Sequence, residues 1–228
     1  MRSRKPYGKK GNANPYSRNI PREADSMPQT VHLLVLDTLA DWEPGFAIAN
    51  INDSGHHKRP GEFRVRTVAL TEAPVMTRGG VRIVPDLPLA ALTPEASAML
   101  ILPGADTWDE GKNVEAVEKA KEFLDAGVPV AAICGATSGL ARGGILDTRQ
   151  HTSNAAEYLA ATGYKGGHLY RHEAAVTDQN VITASAMHAL DFAYHICRRL
   201  DLYEPRVLDA WYGLFKTGDP KYYADLTS

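Results

Sequence analysis

From residue 31 onward, short apolar runs alternate with amphipathic stretches. Val31–Leu36 is apolar apart from His32 and is closed by Asp37, the pattern of a buried strand. Ala98–Leu102, ending at Pro103-Gly104, and Val128–Ile133, running straight into Cys134, have the same character. Phe63–Leu70 alternates apolar and polar residues and predicts a further strand. Residues 73–84 set Gly79-Gly80 between two short apolar pairs, and Thr177–Asn180 separates Ala174–Val176 from Val181–Ala184; both read as hairpins. Between these lie the helical segments. Trp42–Ile51 accepts Pro44 only because it falls in a first turn. Asn113 is placed to cap a helix reaching Ala126, with Val114, Val117 and Leu124 on one face and Gly127 and Pro129 ending it. Gly135–Arg142 and Ala155–Ala161 suit short helices, and His188–Leu200 carries Leu190, Ala193, Cys197 and Leu200 on one side. Strands alternating with helices predict an α/β sandwich with a mainly parallel sheet. A last segment, 201–228, holds Tyr203, Trp211, Tyr212, Phe215, Tyr222 and Tyr223. Its Val207, Trp211, Leu214 and Phe215 share a helical face, which predicts a helix docked on the body.

Charge changes this picture at the N-terminus. The formal net charge of the 228 residues is −2, against a dedicated nucleic-acid binder. Residues 1–27, however, hold seven Lys and Arg against two acidic residues and almost no large aliphatics. Such a segment cannot offset its ordering entropy by burial, so it is expected as a disordered basic leader, with at most a weak nucleic-acid contact. It contains no apolar core of a secretory signal, and no run approaches the roughly 20 residues of a membrane helix. Cys134 and Cys197 are too few for a disulfide framework, which suits a reducing cytoplasm. No phosphate-binding glycine motif follows the first strand, so no nucleotide cofactor is expected. His168 and His172 lack carboxylate or thiolate companions at firm spacing, so no metal is expected either.

The chemistry-bearing feature is Ala131-Ala132-Ile133-Cys134-Gly135-Ala136-Thr137. A buried strand ends on a cysteine and small residues follow at once, as in a nucleophile elbow, where a sharp turn lifts the side chain out of the sheet. The free N–H groups of the following helix would favour a thiolate, so Cys134 is expected to ionise below the free value of about 8.5. Cys197 sits inside an apolar helix face and is expected in the core.

The Leu100–Gly104 strand end, the Ala-Ile-Cys134-Gly-Ala elbow, Trp42-Glu43 after strand one and the hairpin-plus-helix ending together resemble the ThiJ/PfpI family of the class I glutamine-amidotransferase-like superfamily, over about residues 30–200; Ile-Cys134-Gly-Ala-Thr, then His151-Thr-Ser-Asn154 and an aromatic C-terminal extension, are similar to a bacterial subgroup of it. The resemblance implies a flavodoxin-like three-layer sandwich, usually a homodimer, with the domain at 28–200. It also implies that Glu43 stands beside Cys134, with Asp37 and Asp41 as nearby decoys. Gly104 and Gly135 amides would form an oxyanion hole. For a third member, the family's histidine directly after the cysteine is replaced by Gly135. At the later position the match falls on Asn154, with His151 three residues earlier and facing the opposite way if the strand is regular. His188 is a further candidate base. The activity implied is a stress-related, cysteine-dependent hydrolase, glyoxalase- or deglycase-like, acting on small carbonyl or amide substrates, with peptide hydrolysis least favoured. The alternative is a non-catalytic redox-sensing or chaperone-like protein using Cys134 oxidation.

Overall fold

A computed structural model describes residues 27–226. The chain runs β1 (Gln29–Leu34), α1 (Trp42–Asn52), β2 (Phe63–Ala69), β3 (Val75–Met76), β4 (Arg82–Ile83), β5 (Leu87–Pro88), β6 (Met99–Leu102), α2 (Asp106–Asp109) and α3 (Val114–Asp125). It continues through β7 (Val130–Ile133), α4 (Gly135–Arg142), α5 (Ala156–Ala160), β8 (Ala175–Asp178), β9 (Val181–Ala184), α6 (Ala189–Arg199), α7 (Pro205–Thr217) and α8 (Tyr223–Leu226). Seven strands form one sheet in the order β5-β2-β1-β6-β7-β9-β8, parallel except for the β8–β9 hairpin. β3 and β4 pair separately as an antiparallel hairpin. The sequence expectation of a mainly parallel, flavodoxin-like sandwich holds.

The apolar runs are continuous because both sheet faces are covered. Val31, Leu33, Ile101, Ala131, Ile133 and Ile182 point to one side, where Ala47 and Ile51 of α1 and Phe192, Ala193, Ile196 and Cys197 of α6 meet them. Leu34, Leu100, Leu102, Val130 and Ala132 point to the other, against Trp108 of α2, Phe123 of α3 and Leu140 of α4. Successive strand side chains alternate faces, so each run feeds two cores. α7 closes the first layer: Trp211 and Phe215 pack edge-on against Phe46 of α1, and Tyr212 and Lys216 reach Asp191 of α6 at 2.8 Å each.

One local expectation changes, and two short elements are added. Asn113 precedes α3 but adopts φ 68°, and its side chain donates to Thr107 rather than capping the helix. α2 and the edge strand β5 carry too few residues for a periodic signal and were not anticipated. The expected leader, residues 1–27, lies outside the described residues except for Met27. Among the described residues, no helix is long and apolar enough to cross a membrane.

Candidate functional site

The carboxyl ends of β1, β6, β7 and β9 bring the site together. β7 stops at Cys134, whose backbone sits at φ 58° and ψ −126°, a region that costs a non-glycine residue about 1–3 kcal/mol. The turn is held from both sides. Cys134 N–H donates to Ala184 O on β9, and the Thr137 amide and hydroxyl both donate to Cys134 O. The Thr137 hydroxyl also pairs with Ser153 at 2.6 Å. Small residues after the cysteine let α4 lie close to α2. A Cβ on Gly135 would stand 3.2 Å from Ala105 O and from Trp108 Cβ, and one on Gly139 would stand 2.5 Å from the Trp108 ring.

Glu43 enters from the first turn of α1 and is fully buried. Its Oε2 accepts the Gly104 N–H at 2.6 Å, and its Oε1 is buried without a hydrogen-bond partner. A Cβ on Gly104 would stand 2.7 Å from Glu43 Oε2 and 2.9 Å from Cys134 Sγ, so carboxyl and sulfur flank the same point. Only glycine leaves them that space. The Gly104 amide, expected as an oxyanion donor, is occupied by Glu43 instead.

The electrostatics follow from this crowding. Burial pushes the Glu43 carboxyl up to about 7, against the Gly104 N–H, the Cys134 thiol and Arg78, which favour its charged form. Burial and then the Glu43 charge push the Cys134 thiol up to about 11, although the Asn154 side-chain amide and the Gly135 N–H pull the other way. The expectation of a thiol ionising below the free value is therefore reversed. The amides at the start of α4 are present, but desolvation and a neighbouring carboxylate outweigh them.

Asn154 is the third residue at the sulfur. Its Nδ2 donates to Cys134 Sγ at 3.4 Å, while its Oδ1 accepts the Ala186 N–H at 2.9 Å. His151 turns away and is fully buried, its ring nitrogens engaged with Arg149 O at 2.8 Å and Tyr164 Oη at 3.0 Å. His188 Nδ1 pairs with Ser185 Oγ at 2.6 Å. Neither His151 nor His188 has a hydrogen bond to the sulfur, whereas Asn154 does. The neighbouring acids hold backbone: Asp37 accepts the Met76 N–H and Asp41 the Gly79 N–H, which fixes the β3–β4 hairpin beside the β1–α1 turn.

Three further contacts near the site were not readable from the sequence, although Trp42 itself belongs to the segment that carries the resemblance. Arg78, in that hairpin, is ion-paired to Asp106 and lies close enough to Glu43 to favour its carboxylate. Tyr158, one turn beyond Asn154, donates to Asp109 at 2.5 Å. Trp42 Nε1 donates to Ala186 O at 3.3 Å. Each contact joins segments distant in sequence, and only the folded chain brings them together. Cys197 is fully buried in α6, as its position in an apolar face implied. Among the described residues, no group of three or more His, Cys, Asp or Glu residues gathers in a metal-holding arrangement.

Comparison with known proteins gives a consistent picture. The sequence model of the DJ-1/PfpI family matches residues 29–199. The chain is 39% identical over 199 residues to YoaZ of Bacillus subtilis (strain 168), named an uncharacterized protease, covering 86% of this chain and 95% of that protein. It is 29% identical over 178 residues to a second uncharacterized protease of the same organism, YdeA, covering 77% and 85%. Among solved structures, a thiJ/pfpI family protein from Bacillus anthracis is similar at TM-score 0.82 and 40% identity, covering 88% of this chain and 96% of that one. The DJ-1 superfamily protein Atu0886 from Agrobacterium tumefaciens is similar at TM-score 0.74 and 30% identity, covering 83% and 98%.

Proposed function

The chain belongs to the DJ-1/PfpI family, and from that premise we propose that it is a cysteine-dependent, stress-related enzyme of glyoxalase or deglycase type acting on small carbonyl compounds. The observation that carries this reading is the buried Glu43 carboxyl set against Cys134 Sγ at a strained elbow. A thiol pushed up to about 11 is a poor resting nucleophile, but a carboxylate that titrates near 7 beside it is a base matched to neutral pH. As Sγ bonds to the aldehyde carbon of an α-oxoaldehyde, the thiol proton passes to Glu43 and the carbonyl π electrons move to oxygen. The protonated Glu43 then hydrogen-bonds the sulfur instead of repelling it. Glu43 returns that proton to the oxyanion and carries the proton of the former aldehyde carbon to its neighbour while the new hydroxyl proton passes to the second carbonyl oxygen, which gives a thioester; water then releases a 2-hydroxy acid and the free thiol, with Glu43 again a carboxylate. The Gly135 N–H is the backbone donor left for the developing oxyanion.

The protease names of the two Bacillus subtilis relatives fit this site less well. A cysteine peptidase of the usual kind pairs its thiol with a histidine that later protonates the amine, and neither His151 nor His188 hydrogen-bonds to Cys134. The test is conversion of methylglyoxal to lactate by the wild type, Cys134→Ser and Glu43→Gln. Turnover lost in both variants supports the reading. No wild-type turnover, with Cys134 converted to sulfinate by mild peroxide, would sink it in favour of redox sensing.

A further inference from the structure

We propose that the cavity between the last turns of α6 and the edge strand β8 binds a small organic anion, whose phosphate or carboxylate group is held by Arg198, Arg199 and Gln150. The proposed reaction at Cys134 uses none of these residues.

β8 ends the sheet beyond β9. Beside it lies a cavity of about 650 Å³, within the range of about 300–1,000 Å³ usual for small-molecule sites. His195, Arg198 and Arg199 line it from α6, and Ala175, Val176 and Thr177 line it along the strand. Positions 195, 198 and 199 are spaced i, i+3 and i+4, so one face of the helix supplies both guanidinium groups. Gln150 lines the cavity as well and is fixed at two points. Its N–H donates to Asp178 Oδ2 at 2.7 Å, and its Oε1 accepts from Arg171 Nε at 3.0 Å. That second contact leaves the Nε2 donor for an occupant. His195 Nδ1 pairs with Thr177 Oγ1 at 2.7 Å, which orients the ring and leaves Nε2.

The charges do not balance within this wall. Glu173 is the one carboxylate that lines the cavity. Among the described residues, the Arg198 guanidinium has neither a hydrogen bond nor an ion pair, and Arg199 has one bond, to Asn180 Oδ1 at 2.8 Å, and no ion pair. Arginines in a last turn suit the negative end of a helix dipole, which accounts for their place on α6. It does not account for two of them lining one cavity without a carboxylate partner, beside a glutamine whose acceptor is already used. Burial, and then the Arg198 charge, hold the His195 imidazole below its usual value, so that charge acts on the cavity wall itself. Donors exceed acceptors here, and the matching occupant brings acceptor oxygens and negative charge. Guanidinium groups meet carboxylate and phosphate in this way. The volume is many times the roughly 30 Å³ of a water molecule, which leaves room for an organic body over Ala175 and Val176.

The test is calorimetric titration of the full chain at low salt with glucose 6-phosphate, citrate, inorganic phosphate and glucose. Glucose 6-phosphate, citrate or both are expected to bind at a single site with a Kd of about 1 mM or tighter, and glucose is not. Binding of only one of the two assigns the anchoring group as phosphate or as carboxylate. Arg198→Gln, at a side chain with no partner to lose, should weaken binding roughly tenfold, the scale of one charge-assisted hydrogen bond. Arg198→Gln combined with Arg199→Gln should abolish it. Lys121→Gln, on α3, controls for overall charge and should leave the Kd unchanged. Amide shifts in NMR spectra of the wild type should cluster at Gln150, Ala175–Thr177 and His195–Arg199, a readout that needs no variant. The proposal is overturned by the lack of saturable binding of either organic anion, by a Kd unchanged in the double variant, by an equal loss in Lys121→Gln, or by shifts confined to other residues. Inorganic phosphate binding as tightly as the better organic anion also overturns it, because the cavity then takes an ion without an organic body. None of these measurements involves Cys134, so they decide this inference whether or not methylglyoxal is turned over.

Discussion

Gly104 lets a carboxyl and a thiol share one buried point, and most residue-scale consequences follow from that. Burial raises the Glu43 carboxyl from 4.5 to about 7, so the folded state holds a proton that the unfolded chain releases. The stabilisation is complete below pH 4.5 and is lost as pH rises to 7. The span corresponds to about 3 kcal/mol. Glu43→Gln keeps an acceptor for the Gly104 N–H and removes the charge. In urea denaturation it should match the wild type near pH 4.5 and exceed it by roughly 1–3 kcal/mol at pH 8; a difference independent of pH would refute the assignment. If Glu43 accepts the thiol proton, the rate of Cys134 alkylation by chloroacetamide should climb about tenfold per pH unit below 7 and level off above it. Gly104→Ala places a methyl group 2.7–2.9 Å from Glu43 Oε2 and Cys134. It should lose about 1–3 kcal/mol of stability together with most of the cysteine reactivity, read from the same two assays.

Among elements, α4 decides how the sulfur is presented. Helix propensity alone favours Gly139→Ala by about 1 kcal/mol. The added methyl group would stand 2.5 Å from the fully buried Trp108 ring, which also donates to Pro103 O and has no open space to enter. Overlap of this kind costs about 1–3 kcal/mol and should win. Gly139→Ala is expected to lower the urea midpoint and to slow Cys134 alkylation, because relief requires α4 to shift. The same packing explains why α2 was not visible in the sequence. Four residues carry no period, and its Trp108 finds its place only between α3 and α4.

For the whole molecule, α7 binds the layer that carries α1. Trp211 is 7% exposed and edge-packed on Phe46, and Lys216 and Tyr212 satisfy the nearly buried Asp191 carboxylate. Removing one partner of such a buried carboxylate costs more than a surface ion pair, because the remaining charge stays desolvated. Trp211→Ala should destabilise the chain by about 3–5 kcal/mol in a single cooperative urea transition. Two separated transitions would mean that α7 is an independent appendage.

Every strand but the two-residue edge strand β5, the sheet class and the elbow at Cys134 were legible in the sequence because they are written in local pattern: short apolar runs, a cysteine at a strand end, and glycine and alanine after it. Glu43 became legible through family resemblance and not through periodicity. What tertiary structure alone decided is which side chains meet the sulfur and in which direction they move its proton. His151 and Asn154 lie three residues apart, yet one turns toward Tyr164 and the other toward Cys134. Gly104 was expected to offer its amide to a substrate and instead holds Glu43. The thiol was expected low, from the helix that follows it, and stands high. Local sequence sets which groups are available, but desolvation and the sum of neighbouring charges are properties of the packed site, and here they outweigh the local helix effect.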